Sequence, residues 1–281
     1  GEAVTKEIFI QKCPLIYRKR AVRRGPYEVP LVSIYVPLYN REKYIAECVQ
    51  SALEQTVDDL EVVICNDGST DASVKIVNRY FADDPRVKLI TQKNGGIGAA
   101  SNTAVRAARG CFVGQLDADD VLKRDAVEIC VKELEANPKL SLVYGTTEYI
   151  DEKSTPFSDG WNWSRFSREY LLTRMICHHF RLFRRRDWAR TDGFDENIKN
   201  AVDYDMMLKL AEKGDVLHLN RILYEYRKHE EATTVTANDL QTTNHFVVLN
   251  EALRRLNIKD FKIVQQAGVN GRVVEFQPAN V

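Results

Sequence analysis

Between residues 31 and 116, short apolar runs rich in β-branched side chains alternate with segments whose apolar residues recur at helical spacing. The apolar runs predict strands at residues 32–37, 60–65, 87–91 and 111–116. The segments between them predict helices at residues 44–55, 72–81 and 98–109. Strands and helices that alternate at this spacing build parallel sheets, because each helix returns the chain to the same edge. We therefore predict an α/β fold: a doubly wound, mostly parallel sheet with helices on both faces.

The overall composition is that of an ordinary soluble globular chain. Forty basic side chains balance forty acidic ones among 281 residues, so no net field would attract nucleic acid. No apolar run reaches the roughly 20 residues that a membrane-spanning helix needs. The first residues also lack the apolar core of a signal peptide. We expect no nucleic-acid partner and no transmembrane segment.

The six cysteines are scattered and form no CxxC pair. Four of them, Cys48, Cys65, Cys111 and Cys130, lie inside apolar patterns. Buried free thiols are the expected reading, ahead of a disulfide or a metal site. Such thiols fit a reducing compartment, so we expect a cytoplasmic protein.

The two ends of the chain differ from this alternating core. Residues 1–30 hold a basic cluster at 18–24 and predict an extension, either a solvated arm or a patch for peripheral membrane or partner contact at the inner face of the membrane. Residues 31–236 are the predicted catalytic domain, and residues 237–281 a C-terminal helix, at 239–256, with a tail. Within the domain, a further strand is expected at 178–184, a helix at 203–213, and a strand pair near 217 and at 223–227.

Residues 151–165 are polar and contain Trp161 and Trp163. Their polarity predicts a mobile loop beside the site that becomes ordered when ligand binds. A tryptophan there would either stack on a sugar face or anchor the loop to the sheet.

The first two predicted strands end in polar motifs, VPLYN at residues 36–40 and NDGSTD at residues 66–71. Tyr39 offers a ring on which a base can stack, and Asp67 a carboxylate that can accept an imide or ribose proton. Ligands bind such sheets at the carboxyl ends of the strands. We therefore favour a pocket for a nucleotide base, with ordinary turn chemistry as the alternative.

The third predicted strand is followed by NGGIG at residues 94–98. Small residues at this position would let backbone amides and the following helix approach a phosphate or a ribose. A plain strand-to-helix connection explains the glycines equally well. The G-x-G-x-x-G spacing of dinucleotide-binding folds is absent.

The fourth predicted strand runs into QLDADD at residues 115–120. Carboxylates two apart on an extended chain share a face, so Asp117 and Asp119 should converge. Mg²⁺ and Mn²⁺ prefer such oxygen ligands and keep positions for diphosphate oxygens. A metal–diphosphate site is favoured over an acidic helix cap.

The motif NAVDYD at residues 200–205 opens a predicted helix. An Asp at this place is commonly a cap. It can also be a general base that accepts a proton from an acceptor hydroxyl. Both readings stay open.

These motifs, in this order, resemble the family-2 glycosyltransferases. Further stretches at residues 177–183, 191–195, 200–206, 218–220 and 244–250 are similar to the glucuronic-acid-transferring domain of bacterial chondroitin and hyaluronan synthases. The resemblance spans residues 30–258. It implies a GT-A fold, a UDP-sugar donor, a carbohydrate acceptor and inversion at the anomeric carbon. Those synthases carry two catalytic domains where this chain carries one, so a single transfer is expected and polymerisation is left open.

The resemblance also implies roles for individual residues. Asp203 aligns with the catalytic base, and Asp119 and His229 align with ligands of Mn²⁺ or Mg²⁺. The nucleotide-sugar would be bound by residues from the strand-end motifs and from the HHFR stretch, namely Pro37, Tyr39, Asn40, Asp67, Asn94, Gly95, Asp117, His178 and His179.

The same stretch bears on the donor sugar. A glucuronate carboxylate that enters a partly dry pocket needs a cation or several donors, and His178, His179 and Arg181 offer them. If these residues alternate along a strand, His178 and Arg181 cannot both share a face with His179, so only part of the set can point at the donor. Arg184 to Arg186 form either a solvated edge or part of the site.

Three alternatives remain beside glucuronosyl transfer to an oligosaccharide or polysaccharide. The donor could be a UDP-N-acetylhexosamine. A nucleotidyltransferase would also use a nucleotide, a metal and paired Asp, but the first strand is not followed by a basic glycine-rich loop. A non-catalytic carbohydrate-binding module would explain the aromatic residues, but not the Asp cluster.

Overall fold

The computed structural model describes residues 29–160, 162–163, 165–229, 238–267 and 272–279. Residues 1–28 of the predicted extension, together with Cys13 and Trp161, lie outside the described residues. In chain order the elements are β1 (Val32–Leu38), α1 (Ile45–Leu53), β2 (Leu60–Asn66), α2 (Ser73–Phe81), β3 (Val87–Thr91), α3 (Ile97–Ala107), β4 (Phe112–Gln115), β5 (Val121–Leu122), α4 (Ala126–Ala136), β6 (Leu140–Ile150), β7 (Pro156–Asp159), α5 (Arg168–Leu171), β8 (Arg181–Arg184), α6 (Arg185–Trp188), α7 (Val202–Ala211), β9 (Asp215–Arg227), α8 (Asn238–Arg255), β10 (Phe261–Gln265) and β11 (Val274–Pro278).

The predicted alternation of strands and helices is confirmed. All seven elements expected between residues 32 and 116 are present, and their ends differ from the prediction by at most two residues. The main sheet has the order β3-β2-β1-β4-β8-β6-β9-β5, and β7 pairs with β6. Strands β1 to β4 are parallel, as are β6 and β9, whereas β8 runs antiparallel to both of its neighbours. The strand pair expected near residues 217 and 223–227 is a single long strand, β9.

Two apolar layers cover the sheet, as the alternating side chains of β1 illustrate. Val32, Ile34 and Val36 pack on one face with α1 and α4, whereas Tyr35 packs on the other with α3, α7 and α8. The C-terminal segment belongs to this second layer. Helix α8 contributes Val248 and Leu249, and the β10–β11 pair contributes Ile263.

Strand order places the polar motifs together. Strands β1, β2 and β4 are parallel neighbours, so their carboxyl ends meet at one edge. Strand β5 pairs antiparallel with β9, with Val121 opposite Glu225 and Leu122 opposite Tyr224. This pairing sets the acidic motif that precedes β5 beside the residues that follow Tyr224.

The described cysteines fit the expectation of free thiols. Cys48, Cys65 and Cys130 are buried and free, and Cys111 is half-buried and free. Among the described helices, none combines the length and apolar character that crossing a bilayer requires.

Arg184 and Arg185 are not a solvated edge. Arg184 is 6% exposed and donates from Nε to the carbonyl of Leu140 at 2.7 Å and from Nη2 to that of Asn137 at 3.2 Å. Arg185 donates from Nη1 to the carbonyl of Ala108, beyond the end of α3, at 2.8 Å. The last carbonyls of a helix lack partners within the helix and favour a nearby cation. These two arginines therefore hold helix ends.

We expect Arg184→Ala to lower the free energy of unfolding by roughly 2–4 kcal/mol, because it leaves buried carbonyls without a donor. Urea unfolding followed by circular dichroism measures the loss. Arg186→Ala is the matched control, since the Arg186 side chain is 38% exposed. Its contacts within the described residues are one hydrogen bond, to the carbonyl of Pro138, and an ion pair with Asp187 at 3.6 Å. Equal losses in the two variants would contradict this account of Arg184.

Candidate active site

The Asp67 carboxylate lies buried at the end of β2 and is bound by the glycine turn. Its Oδ1 accepts hydrogen bonds from Gln92 Nε2 at 2.8 Å and from the Gly95 amide at 2.9 Å, and its Oδ2 accepts one from the Gly96 amide at 2.8 Å. Gly96 has φ of +87°, a conformation that side-chain-bearing residues rarely adopt. The two amides that were expected to face a ligand therefore bind Asp67, and the two predicted motifs form one cluster.

The segment after β1 lies beside this cluster. Asn40 Oδ1 accepts a hydrogen bond from the Thr70 backbone amide at 2.8 Å, and the Asn40 backbone amide donates to Ser69 Oγ at 3.1 Å. Tyr39 is 47% exposed, so its ring is open for stacking. Pro37 is half-buried near the end of β1, in register with Cys65 of β2.

Asp119 meets His229, although the two residues are far apart in sequence. His229 Nε2 lies 3.0 Å from Asp119 Oδ2, and Arg41 Nε donates to the same oxygen at 2.8 Å. Burial would raise the pKa of Asp119, but the hydrogen bond with His229 and the charge of Arg41 outweigh it and hold that pKa below its usual value. The residues aligned with metal ligands are therefore in direct contact.

Asp117 is held next to this pair. Its Oδ1 accepts a hydrogen bond from Gln115 Nε2 at 3.0 Å, and its amide donates to the Tyr224 hydroxyl at 3.0 Å. His179 Nε2 lies 3.6 Å from Asp117 Oδ2. Burial, reinforced by the charge of Asp119, raises the pKa of Asp117 to about 6.

Asp203 is joined to Asp117 through two other side chains. Arg181 Nη2 donates to Asp203 Oδ2 at 3.0 Å, and Arg181 Nη1 donates to Gln115 Oε1 at 3.1 Å. The N-cap of α7 is Ala201, so Asp203 lies in the first turn, where its Oδ1 accepts a hydrogen bond from the Tyr204 amide at 2.9 Å. The carboxylate thus faces the site while it also supports its own helix.

The neighbouring Asp205 has a different role. It is 1% exposed and pairs with Lys209 at 2.6 Å and with Arg255 at 3.2 Å. These contacts tie α7 to the end of α8. Of the two carboxylates in this turn, Asp203 is the one that contacts the site.

The strand expected at residues 178–184 begins only at Arg181, so His178 and His179 lie before it. His179 and Arg181 both reach the neighbourhood of Asp117, His179 directly and Arg181 through Gln115. Burial, assisted by the charge of Arg181, lowers the pKa of His178 to about 4 and that of His179 well below its usual value. Among the described residues, His178 Nε2 and His179 Nδ1 are buried without a hydrogen-bond partner.

Arg227 organises the site and was not identified from the sequence. It is 1% exposed and donates to the Asp119 carbonyl at 2.7 Å, the Asp151 carbonyl at 3.0 Å and Glu47 Oε2 at 2.7 Å. Its own amide donates to Asp120 Oδ1 at 2.8 Å. Glu225 and Lys228 beside it are charged as well, so the local sequence gives no signal that singles out Arg227. Arg41 and Gln115 were also missed, because local pattern does not reveal partners in other segments.

Part of the segment at residues 151–165, which was expected to be a mobile loop, forms a strand. Residues Pro156–Asp159 form β7 and pair antiparallel with β6. Trp163 packs on Tyr170, with ring centroids 5.5 Å apart, and lies under the guanidinium of Arg174 at 5.0 Å. Trp163 therefore anchors the chain in the structure. Ordering of the segment on ligand binding stays a prediction.

In the described part of the chain, no three His, Cys, Asp or Glu side chains form a group able to hold a metal. The Asp119–His229 pair offers two ligands. Mg²⁺ and its relatives are usually held by one or two protein groups together with substrate phosphates and water. The pair therefore fits a cation that binds together with an anionic substrate.

Comparisons with known proteins agree on one family. The model for glycosyl transferase family 2 matches residues 33–191. The chain is 50% identical over 272 residues to a chondroitin synthase of Escherichia coli, covering 96% of this chain and 40% of that protein. It is 49% identical over 260 residues to a hyaluronan synthase of Pasteurella multocida, covering 92% of this chain and 27% of that protein. The chain thus spans less than half of these relatives.

Two solved structures share the fold. One is Staphylococcus aureus TarS in complex with UDP-GlcNAc, with a TM-score of 0.63, 22% identity, and coverage of 80% of this chain and 72% of that one. The other is a mannosyltransferase from Pyrobaculum calidifontis in complex with GDP-Man and Mn²⁺, with a TM-score of 0.62, 21% identity, and coverage of 89% and 70%. The predicted GT-A fold is confirmed.

We expect Asp117→Asn to stabilise the protein at pH 7.5 by roughly 1–3 kcal/mol and by much less at pH 4.5. The pKa of this carboxyl is about 6 in the folded protein, above the 3.8 of an aspartate in an unfolded chain. Between those values the folded state holds more protons, so the contribution of Asp117 to stability falls as pH rises. Urea unfolding in EDTA at both pH values measures the difference.

The control is Asp215→Asn, whose side chain is 60% exposed at the start of β9. It should change stability little at either pH. An Asp117→Asn gain that is the same at both pH values would refute the assigned cause.

Proposed function

The chain belongs to glycosyl transferase family 2, and we propose that it transfers glucuronic acid from UDP-glucuronic acid to a glycan acceptor with inversion at the anomeric carbon. One observation carries the proposal. The Asp119–His229 pair, Asp117 and Asp203 converge at the carboxyl edge of the sheet, and Arg181 and Gln115 join the last two.

The uridine would bind where the segments after β1 and β2 meet. Tyr39 has an exposed ring for stacking, flanked by Pro37 and Asn40. Asp67 Oδ2 accepts one hydrogen bond among the described residues, which leaves capacity for an imide or ribose proton. Gly95 donates its amide to this carboxylate, and Asn94 Nδ2 donates to the Asp67 carbonyl. The TarS structure with bound UDP-GlcNAc supports a uridine nucleotide in a protein of this fold.

Asp119 and His229 would hold a divalent cation, Mn²⁺ or Mg²⁺. When bound, such a cation neutralises charge that develops on the departing diphosphate. The mannosyltransferase structure with Mn²⁺ supports the use of a metal in this fold. Arg41, which shares the Asp119 oxygen, would yield it to the cation and stay available to the diphosphate. Asp117 would contact the ribose or the diphosphate.

Asp203 would act as the general base. Inversion requires a base that faces the acceptor, on the side of the sugar away from the leaving group. The Asp203 side chain is 40% exposed, and Arg181 fixes one of its oxygens. The carboxylate can therefore take the proton of an acceptor hydroxyl as that hydroxyl attacks.

The choice of glucuronic acid rests on similarity to the chondroitin and hyaluronan synthases. His178 and His179 add two buried imidazoles, neutral at pH 7, that can each donate one N–H to the sugar. Arg181 is less suited to bind the sugar carboxylate than the sequence suggested, because its guanidinium already donates to Asp203, Gln115 and the Cys177 carbonyl. A UDP-N-acetylhexosamine is the second candidate, favoured by the likeness to TarS. Family membership argues against a nucleotidyltransferase and a non-catalytic module.

The acceptor would be a glycosaminoglycan-like oligosaccharide or polysaccharide. Two relatives are named as synthases of chondroitin and of hyaluronan, and the chain covers 40% and 27% of them. We therefore assign this region one transfer step. Its free buried thiols support a cytoplasmic setting.

UDP release in the presence of Mn²⁺ and a chondroitin or hyaluronan oligosaccharide tests the donor. We expect faster turnover with UDP-glucuronic acid than with UDP-GlcNAc or UDP-GalNAc. Asp203→Asn should keep donor binding and lose roughly 10²–10⁴-fold in kcat, the usual contribution of a base. Asp215→Asn serves as the control with wild-type kcat. Preference for an N-acetylhexosamine donor would sink the glucuronate assignment, and a fully active Asp203→Asn would remove the base.

Titration of UDP with and without Mn²⁺ tests the cation site by calorimetry. Asp119→Ala should abolish the Mn²⁺-dependent part of UDP binding while the circular dichroism spectrum stays native, because the shared oxygen is lost. His229→Gln should weaken the Mn²⁺-dependent part of UDP binding when the Mn²⁺ concentration is limiting. Unchanged titrations in both variants would show that the cation, if used, binds elsewhere.

A further inference from the structure

An aromatic surface adjoins the Asp119–His229 pair. Tyr149 of β6 stacks on Phe157 of β7, with ring centroids 6.2 Å apart and planes 26° apart. Tyr149 also meets Tyr226 of β9 edge to face at 6.0 Å. The ammonium of Lys228 lies 4.2 Å from the Tyr149 ring centroid and 4.8 Å from that of Tyr226. We call these four residues the hairpin platform.

The hairpin platform is tied to the site by the backbone. Lys228 lies between Arg227 and His229, and its amide donates to the Ile150 carbonyl at 2.9 Å. Arg227 binds the Asp119 carbonyl on one side and the turn between β6 and β7, at the carbonyl of Asp151, on the other. The platform therefore keeps one position relative to the acidic motif.

Sheet stability alone does not account for the platform. Cross-strand aromatic pairs do stabilise hairpins, but Phe157 is 58% exposed and all of β7 is exposed. Lys228 is exposed and has no ion pair within the described ranges. An open aromatic face beside an exposed lysine is complementary to a ligand that has both a flat apolar face and a negative charge.

We propose that the hairpin platform is the acceptor subsite and binds a uronate-containing oligosaccharide. The rings contact the C–H face of a pyranose, and Lys228 pairs with a uronate carboxylate. In an oligosaccharide that alternates hexosamine and uronate and ends in a hexosamine, the second sugar carries the first carboxylate. The terminal hexosamine receives the glucuronosyl group, so this carboxylate lies one sugar away from the reacting hydroxyl. The proposal rests on the proposed function, because the ligand is the acceptor of that transfer.

Binding and transfer are measured with a hyaluronan or chondroitin hexasaccharide on the wild-type chain, Phe157→Ala and Lys228→Gln. Each variant should weaken hexasaccharide binding and raise the acceptor KM about five- to tenfold, as the loss of one good contact does. The kcat at saturating acceptor and the Kd for UDP should change far less. With a carboxyl-reduced hexasaccharide the penalty of Lys228→Gln should disappear.

The matched control is Tyr80→Ala. Tyr80 is 62% exposed and has the Arg79 guanidinium 5.6 Å from its ring, so it is an aromatic–cation pair as well. It lies near the end of α2, the opposite end of that helix from the motif at residues 66–71. Acceptor binding should be unaffected in this variant.

Wild-type hexasaccharide affinity in both platform variants would overturn the proposal, as would an equal loss in Tyr80→Ala. A Lys228→Gln penalty that persists with the carboxyl-reduced ligand would overturn the carboxylate pairing. The proposed function fails separately. If no UDP-sugar is turned over but hexasaccharide binding depends on Phe157 and Lys228, the platform stands without it.

Discussion

The buried guanidinium of Arg227 joins β9, on which it lies, to three segments that are distant from it in sequence or from one another. It binds α1 through Glu47, the acidic motif through the Asp119 carbonyl, and the β6–β7 turn through the Asp151 carbonyl and Ser154 Oγ. A buried cation must have its donors satisfied, and removal of one partner leaves a costly unpaired charge. The position of the site relative to the β6–β7 hairpin follows from this constraint.

Asp117, Asp119 and Asp120 lie within four residues, and burying three negative charges so close together is energetically costly. The structure accommodates each of them differently. Asp119 is paired with His229 and Arg41. Asp120 accepts a hydrogen bond from the Arg227 backbone amide. Burial and the charges of Asp119 and Asp117 nevertheless raise the pKa of Asp120 well above its usual value. Asp117, by contrast, remains partly uncompensated, with a pKa of about 6. Perturbed carboxylates of this kind concentrate at functional sites, where a bound cation or substrate can offset the repulsion.

The arginines of β8 and α6 show where sequence pattern stops being informative. Arg181, Arg184 and Arg185 lie within five residues, and their sequence context does not separate them. In the structure, Arg181 binds Gln115 and Asp203. Arg184 and Arg185 bind carbonyls near the ends of α4 and α3, respectively. Their partners lie in other segments, so only the packing of those segments assigns each arginine a role.

The sequence by itself determined the elements between residues 32 and 116, the α/β class and the location of polar motifs at strand ends, because periodicity and turn chemistry are set by near neighbours. Only the tertiary structure decided which groups meet: Asp119 with His229, Asp203 with Arg181, and Asp67 with the amides of the glycine turn. Those contacts depend on strand order, with β8 inserted antiparallel between β4 and β6, and β9 paired to β5. Local pattern cannot specify that order, because pairing across many residues is selected by the burial of the whole sheet.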